Sequence, residues 1–355
     1  MKKGKLVLKD GHIFQGYVFG AEKPTAGEVV FSTGMVGYPE SLTDPSFEGQ
    51  ILTFTFPLIG NYGVPAENLD KHQISTVFES SRIHARGIVV SEYSENYSHW
   101  NAKESLSDWL KAQGITGITG IDTRMLTQIL REKGCMLGKI TVEDQESPDY
   151  NPNNYNIVED VSPKKPTLYK AGPKKIIMLD CGVKNNTIHN FLDRNISVLR
   201  VPFDYDFFGA NEAFDGVFIS NGPGDPAQCL QTINLIKKSM EKKIPTFGIC
   251  LGNQLMGLAA GGKTYKLKYG HRAQNQPCID TETGRCYMTS QNHGFAIDGS
   301  SLPKDWKVWF EHANDNSVEG IKHTKLPFFA VQFHPEAAPG PVDTESLFDK
   351  FVKLL

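Results

Sequence analysis

The sequence predicts an α/β protein of two domains. The first is β-rich, and the second has a mostly parallel sheet flanked by helices. Three observations lead to this prediction. The chain has 355 residues, enough for two domains with separate cores. A segment between about Val142 and Lys175 is rich in proline, asparagine and charged residues. The pattern of apolar residues differs on the two sides of this segment.

On the amino-terminal side, short apolar runs such as GEVVFST and QILTFTF alternate with turn clusters, which indicates a β-rich domain over residues 1–145. One helix is predicted near its end, beginning after the capping residue Asp122 and ending at Gly134. The apolar residues expected on one face of this helix are Met125, Leu126, Ile129 and Leu130. Residues 146–174 have the composition of a linker.

Beyond the linker, apolar runs at residues 176–180, 197–203, 216–220 and 246–250 alternate with amphipathic segments. Strands separated by helices predict a mostly parallel sheet, here over residues 175–355. In such sheets ligands bind at the carboxyl ends of the strands, so the residues that follow each run are the candidate functional residues.

Composition excludes several classes of function. A net charge of −3 argues against nucleic acid and anionic membranes as partners. The six cysteines form no CxxC pair, which argues against a disulfide framework or a zinc ribbon, and no metal site is predicted. No run of about 18 apolar residues occurs, and the first residues lack the apolar core of a secretory signal. The expected location is the cytoplasm.

Cys250 is the candidate nucleophile. The strand KIPTFGI leads directly into it, and LGNQLMGLAAGG then begins a helix. Gly248 and Gly252 flank the cysteine as the two glycines flank serine in a nucleophile elbow, where larger side chains would clash. The helix amino terminus would favour the thiolate, and the N–H of Leu251 can face an oxyanion. The alternative is a buried structural cysteine.

A thiolate needs a base, and the segment FAVQFHPEA offers His334 with Glu336 two residues later. A hydrogen bond between them would orient the imidazole and stabilise its charged form. The loop SNGPGDP, which contains Gly222 and Gly224, follows another apolar strand. Its N–H groups could complete an oxyanion hole, although a tight strand-to-helix turn explains the same residues.

Two nucleotide-binding patterns are rejected on their context. Residues 222–227 fit G-x-G-x-x-A, but two prolines remove N–H donors and the loop does not follow the first strand of its unit. Residues 257–264 match G-x-x-x-x-G-K-T, but they follow a predicted helix and precede a strand. A phosphate loop needs the opposite order, because the helix amino terminus binds the anion.

Four segments, FGICLGNQ, SNGPGDP, QNHGFAI and QFHPEA, together resemble the class I (triad) glutamine amidotransferases. The segments GEVVFSTGMVGYPESLTDPSFEGQ and GITGIDTRMLTQILREKG are similar to the first domain of a small subunit in that family. The resemblance implies a triad of Cys250, His334 and Glu336. It also implies glutamine contacts from Ser46 in the first domain and from Gly222, Gly224, Leu251, Gln254, Asn292, Gly294 and Phe295.

The implied reaction is hydrolysis of L-glutamine through a cysteine thioester. The ammonia would pass to a large synthetase subunit that uses ATP, magnesium and bicarbonate, and this chain itself would hold no cofactor. Two departures concern loop contacts and glutamine affinity: Asn253 stands where many relatives have histidine, and YGHRAQNQPC replaces a histidine-rich loop. The alternatives are a regulatory glutamine-binding module with weak turnover, an amidotransferase component of another synthase, and a free-standing thiol hydrolase.

Overall fold

The computed structural model describes residues 1–210 and 212–355. They form two compact units, Met1–Asn154 and Tyr155–Leu355. The strands of the first unit are β1 Lys2–Leu8, β2 Ile13–Gly20, β3 Thr25–Ser32, β4 Gln50–Phe54, β5 Leu58–Ile59, β6 Val64–Pro65, β7 Gly87–Val89, β8 Glu92–Tyr93, β9 Ala102–Glu104, β10 Thr116–Thr119 and β11 Met136–Val142. Its helices are α1 Tyr38–Thr43, α2 Leu106–Ala112 and α3 Thr123–Lys133.

The first unit is built on a closed barrel with the strand order β1-β11-β3-β4-β7-β10-β2. Closure leaves no unpaired edge, which suits a domain made mainly of short strands. The predicted helix is present as α3. The carboxylate of Asp122 accepts a hydrogen bond from the N–H of Met125 at 2.8 Å, and Gly134 ends the helix. Leu126, Ile129 and Leu130 are buried, whereas Met125, expected on the same face, is 50% exposed.

The strands of the second unit are β12 Thr167–Tyr169, β13 Lys174–Asp180, β14 Ile196–Pro202, β15 Gly216–Ile219, β16 Thr246–Ile249, β17 Lys263–Asp280, β18 Cys286–Asp298, β19 Trp306–His312, β20 Val318–His323 and β21 Phe328–Val331. Its helices are α4 Val158–Val161, α5 Asn185–Asp193, α6 Leu230–Glu241, α7 Leu251–Ala260 and α8 Ser346–Val352. Both α4 and β12 lie in the segment 146–174, for which the sequence predicts a linker. This segment therefore contributes regular structure, and β12 pairs antiparallel with β14.

All strands of the second unit join one sheet in the order β12-β14-β13-β15-β16-β21-β20-β18-β17-β19. The neighbours from β14 to β21 run parallel, which is the α/β arrangement that the sequence predicts. From β20 to β19 the sheet continues antiparallel. The long strands β17 and β18 alternate buried and exposed residues only irregularly, so their apolar pattern is weak. Within the described residues, no helix is long and apolar enough to span a membrane.

Candidate active site

Cys250 occupies the sharp turn between β16 and α7. Its φ is 55°, in the left-handed region that side chains rarely adopt, and its N–H donates to the carbonyl of Val331 at 2.8 Å. A Cβ on Gly248 would come within 2.7 Å of the backbone of Gly252, and one on Gly252 within 2.3 Å of the carbonyl oxygen of Ile219. Both flanking glycines are therefore required by close backbone approach, as the elbow pattern predicts.

Backbone N–H groups surround this turn. Leu251 is the first residue of α7, and the first N–H groups of a helix have no acceptor inside it. The loop with Gly222 and Gly224 follows β15, the strand beside β16. A Cβ on Gly222 would lie 2.0 Å from the carbonyl oxygen of Cys181, so only glycine fits there. These groups lie at the carboxyl ends of neighbouring parallel strands.

His334 and Glu336 follow β21, the strand on the other side of β16. Nδ1 of His334 lies 2.6 Å from Oε1 of Glu336, and both residues are buried. Nε2 of His334 is also buried, with no hydrogen-bond partner of ordinary geometry in the described part of the chain. Burial would lower the pKa of His334, but the charges of Glu336 and Cys250 outweigh it and raise that pKa to about 10. Cys250 is thus an electrostatic neighbour of the imidazole.

Sequence reasoning did not find Lys184. Its ammonium lies 3.2 Å from Oε1 of Glu336, and the two side chains are 3% and 0% exposed. It also donates to the carbonyl of Ala337. Burial would raise the pKa of Glu336, but Lys184 and His334 lower it to about 2. Lys184 follows β13, at the sheet end where functional residues are expected, but no sequence motif distinguishes it from the other residues there.

The strand β18 connects several predicted site residues. The carbonyl of Asn292 accepts from the thiol of Cys250 at 3.6 Å, and the carbonyl of Phe295 accepts from Nε2 of Gln254 at 2.8 Å. Two residues before Asn292, the carbonyl of Ser290 accepts from the N–H of His334 at 2.9 Å. The structure therefore gathers Cys250, Gln254, the His334–Glu336 pair and the QNHGF segment, including Gly294, around one end of the sheet.

Three further residues or segments singled out in the sequence have different positions in the structure. Asn253, one of the two departures from the family pattern, is buried and donates to Oε1 of Gln332 at 3.3 Å. The Walker-like residues 257–264 run from the end of α7 into β17, which confirms the unsuitable order. Ser46 is buried in the first unit, in the turn capped by the side chain of Asp44. Its contribution to a glutamine site stays a prediction.

Comparisons with known proteins agree with this architecture. The family model for glutamine amidotransferase class-I matches residues 177–354. The model for the carbamoyl-phosphate synthase small chain, CPSase domain, matches residues 6–140. A solved glutamine amidotransferase from Thermotoga maritima is 19% identical over 46% of this chain and 76% of its own, with a TM-score of 0.38, and this likeness is too weak to carry an argument.

Two curated relatives differ in their own length. The carbamoyl phosphate synthase arginine-specific small chain of Saccharomyces cerevisiae is 50% identical over 98% of this chain and 88% of its own. The multifunctional protein CAD of Squalus acanthias is 54% identical over 98% of this chain, but the match spans only 16% of that protein. The chain thus spans about a sixth of the multifunctional relatives that it matches. On these matches and the site geometry, the chain belongs to the carbamoyl-phosphate synthase small chain family, and its second unit to the class I glutamine amidotransferases.

Proposed function

We propose that this chain is the glutaminase component of a glutamine-hydrolysing carbamoyl-phosphate synthase, and that Cys250, His334 and Glu336 are its catalytic residues. One observation carries the proposal: Cys250 sits on a strained strand-to-helix turn next to a buried imidazole that Glu336 holds by a 2.6 Å hydrogen bond. The family membership of the chain supports the same reaction.

In the first half-reaction, the Cys250 thiolate attacks the side-chain amide carbon of L-glutamine and forms a C–S bond. The N–H of Leu251 and the loop of Gly222 and Gly224 stabilise the oxyanion. The imidazolium of His334 then gives its proton to the amide nitrogen. The C–N bond breaks, ammonia leaves, and a γ-glutamyl thioester remains on the sulfur.

In the second half-reaction, neutral His334 takes a proton from a water molecule, and the resulting hydroxide attacks the thioester carbon. The C–S bond breaks, glutamate leaves, and the thiolate and imidazolium are restored. Glu336 keeps Nδ1 of His334 as the donor to its carboxylate, so that Nε2 exchanges the proton. Lys184 keeps Glu336 ionised throughout.

The proposed glutamine contacts in the second unit are Gly222, Gly224, Leu251, Gln254, Asn292, Gly294 and Phe295. Most of them offer backbone or amide groups, which suit the amino, carboxylate and amide ends of glutamine. The amide nitrogen of Gln254 already donates to Phe295, so this side chain positions the strand as well as the substrate.

The proposed partner is the large subunit of carbamoyl-phosphate synthase, where ATP, magnesium and bicarbonate would be used and where the released ammonia would react. Ammonia protonates in bulk water and then is no longer a nucleophile, so it must pass directly between the two components. The carbamoyl phosphate formed would serve arginine or pyrimidine biosynthesis in the cytoplasm.

The test is glutaminase activity together with covalent labelling. Cys250→Ala should abolish ammonia release, whereas Cys286→Ala, at an exposed cysteine, should leave it unchanged. A diazo-ketone analogue of glutamine should modify only the peptide that contains Cys250, and excess glutamine should protect it. Unchanged turnover in Cys250→Ala, or labelling elsewhere, would overturn the proposed triad.

A copurification experiment distinguishes the subunit assignment from the alternative functions. Copurification with a large ATP-using chain that forms carbamoyl phosphate supports the subunit assignment. A chain that binds glutamine without releasing ammonia would instead be a regulatory module, and one that stays alone and hydrolyses peptides at full rate would be a thiol hydrolase.

A further inference from the structure

Two imidazoles and one carboxylate, none of them among the proposed catalytic residues, lie close together in the antiparallel half of the sheet. His271 on β17 lies directly opposite His293 on β18 in the strand register, and Glu319 comes from β20. All three side chains are buried. Nδ1 of His271 is 3.3 Å from Nε2 of His293. Oε1 of Glu319 is 3.5 Å from that Nδ1 and 3.6 Å from that Nε2.

The outer nitrogens of both imidazoles face acceptors. Nε2 of His271 lies 2.9 Å from Oδ2 of Asp315, and Nδ1 of His293 lies 2.8 Å from the carbonyl oxygen of Phe295. Each acceptor requires an N–H, and a neutral imidazole has only one. When both imidazoles are neutral, their inner nitrogens and Oε1 of Glu319 therefore turn three lone pairs toward one another.

Either a proton on one inner nitrogen or a metal ion between the three atoms satisfies these lone pairs. A tetrahedral zinc ion with bonds of about 2.0–2.2 Å holds its nitrogen and oxygen ligands about 3.3–3.6 Å apart. The three separations here, 3.3, 3.5 and 3.6 Å, fall in this range. Two of them are too long for good hydrogen bonds. An outer N–H held by a carboxylate or a carbonyl is also the usual support of a histidine that binds metal.

We propose that His271, His293 and Glu319 bind a divalent transition-metal ion, with Zn²⁺ the best fit to two imidazoles and one carboxylate. Asp315 and the Phe295 carbonyl orient the imidazoles. Ser317 and Gln291 donate to the carboxylate of Glu319 at 3.3 and 3.0 Å. The amide oxygen of Gln291 lies 3.1 Å from Nε2 of His293 and is the nearest further oxygen ligand.

A second grouping shares His271 but fits a metal less well. His271, His312 and Asp315 also place their ligand atoms within reach of one ion. The side chain of Asp315 is 43% exposed, and its two contacts use different oxygens, at 2.9 and 3.5 Å. The shorter contact is an ordinary hydrogen bond from His271. Asp315 is thus better explained as support for the buried ion than as its ligand.

The site has a consequence for the strand that faces the nucleophile. His293 is next to Asn292, whose carbonyl accepts from Cys250, and two residues before Phe295, whose carbonyl accepts from Gln254. A bound ion would tie β18 to β17 and β20 at this point and hold the glutamine-facing segment in place. This consequence rests on the proposed function, whereas metal binding itself does not.

The test uses the full chain after treatment with a chelator. Calorimetric titration with Zn²⁺ should show one ion per chain, and Co²⁺ should give the intense visible absorption of a tetrahedral site. Zn²⁺ should also raise the thermal midpoint. His271→Ala and the isosteric Glu319→Gln should each weaken Zn²⁺ binding about hundredfold or more, and Asp315→Asn about 10- to 100-fold.

Three controls make the result decisive. Cys250→Ala should bind Zn²⁺ as wild type does, which excludes the thiol, and His12→Ala should also be unchanged. His312→Ala should retain most of the affinity. The proposal is overturned if wild type binds no stoichiometric Zn²⁺, if Glu319→Gln binds normally, or if binding is lost in Cys250→Ala or His312→Ala. Ammonia release is measured separately, so failure of the metal site leaves the triad proposal intact.

Discussion

Two buried imidazole–carboxylate groups in the second unit differ in the charges around the carboxylate. Glu336 contacts His334 and the ammonium of Lys184, and the pKa of His334 is raised to about 10. Glu319 faces two imidazoles. Burial would lower the pKa of His271, but hydrogen bonds to Asp315 and Glu319 raise it to about 9, whereas burial lowers the pKa of His293. The first group places one imidazole between a carboxylate and the thiol, whereas the second brings nitrogens of two imidazoles toward one carboxylate oxygen.

The two imidazole–carboxylate groups also differ in where their residues lie on the backbone. Cys250, His334 and Glu336 lie just beyond the ends of parallel strands, and the cysteine has a positive φ. His271, His293 and Glu319 lie within antiparallel strands. The first group therefore lies where the chain leaves the sheet, whereas the second lies where strand pairing fixes the backbone. Burial of a histidine and a glutamate together is therefore insufficient to indicate catalysis.

The largest expected effect is the difference in kcat between substitutions of Glu336 and of Glu319. Glu336→Gln should lower kcat for glutamine hydrolysis about 10³- to 10⁴-fold, because His334 loses the group that orients and charges it. Glu319→Gln should change kcat less than about tenfold, because Glu319 touches neither Cys250 nor His334. Steady-state ammonia release measures both variants. Equal losses would contradict the distinction between the two groups.

The next effect is on stability. Lys184→Met should lower the free energy of unfolding by about 3–5 kcal/mol, because it leaves the carboxylate of Glu336 buried without its ammonium partner. Urea unfolding measures the loss. Lys133→Met, which removes the half-exposed partner of Asp10, is the matched control and should have almost no effect. If the two variants lose the same stability, the buried pair is unimportant.

A smaller effect tests the backbone of the nucleophile turn. Gly248→Ala should cost about 1–3 kcal/mol of stability, because its Cβ would meet the backbone of Gly252, which cannot move aside. Gly257→Ala, within α7, would meet only side-chain atoms of Ile297 and should be tolerated better. Thermal unfolding compares the two, and the reverse order would contradict the close approach at the elbow.

The last prediction concerns the pH above which the wild-type enzyme loses activity; it predicts no change in activity near neutral pH. The pKa of His334 is raised, so its imidazolium is retained below about pH 10 and lost as the pH rises through that value. In the proposed mechanism this proton goes to the leaving ammonia, so kcat/KM should stay high above neutral pH and decline only near pH 10. A pH profile of the wild type checks this. A decline near pH 6.5 would contradict the influence of Glu336 and Cys250 on His334.

The order of residues along the chain was sufficient to predict which segments lie at the carboxyl ends of the parallel strands in the second unit. An apolar run followed by glycine-flanked Cys250, or by His334 and Glu336, marks a strand end. Lys184 follows a strand in the same way, but an isolated lysine carries no spacing signal, and only its 3.2 Å contact with Glu336 distinguishes it. Met125 is exposed although the adjacent Leu126 is buried, because successive helical residues are about 100° apart and Met125 lies at the border of the apolar face.

By itself the sequence determined the α/β architecture with a β-rich first domain, the parallel strands and the sharp turn at Cys250, because local apolar runs and glycine spacing dictate strand ends and sharp turns. Tertiary structure alone decided the closed barrel, the antiparallel extension and the regular structure within the predicted linker. It also decided the meeting of His271, His293 and Glu319. These depend on pairing between residues far apart in the chain, so no spacing motif records them. An apolar run followed by His334 and Glu336 is visible in the sequence, but only the packing of the chain brings the ammonium of Lys184 to Glu336.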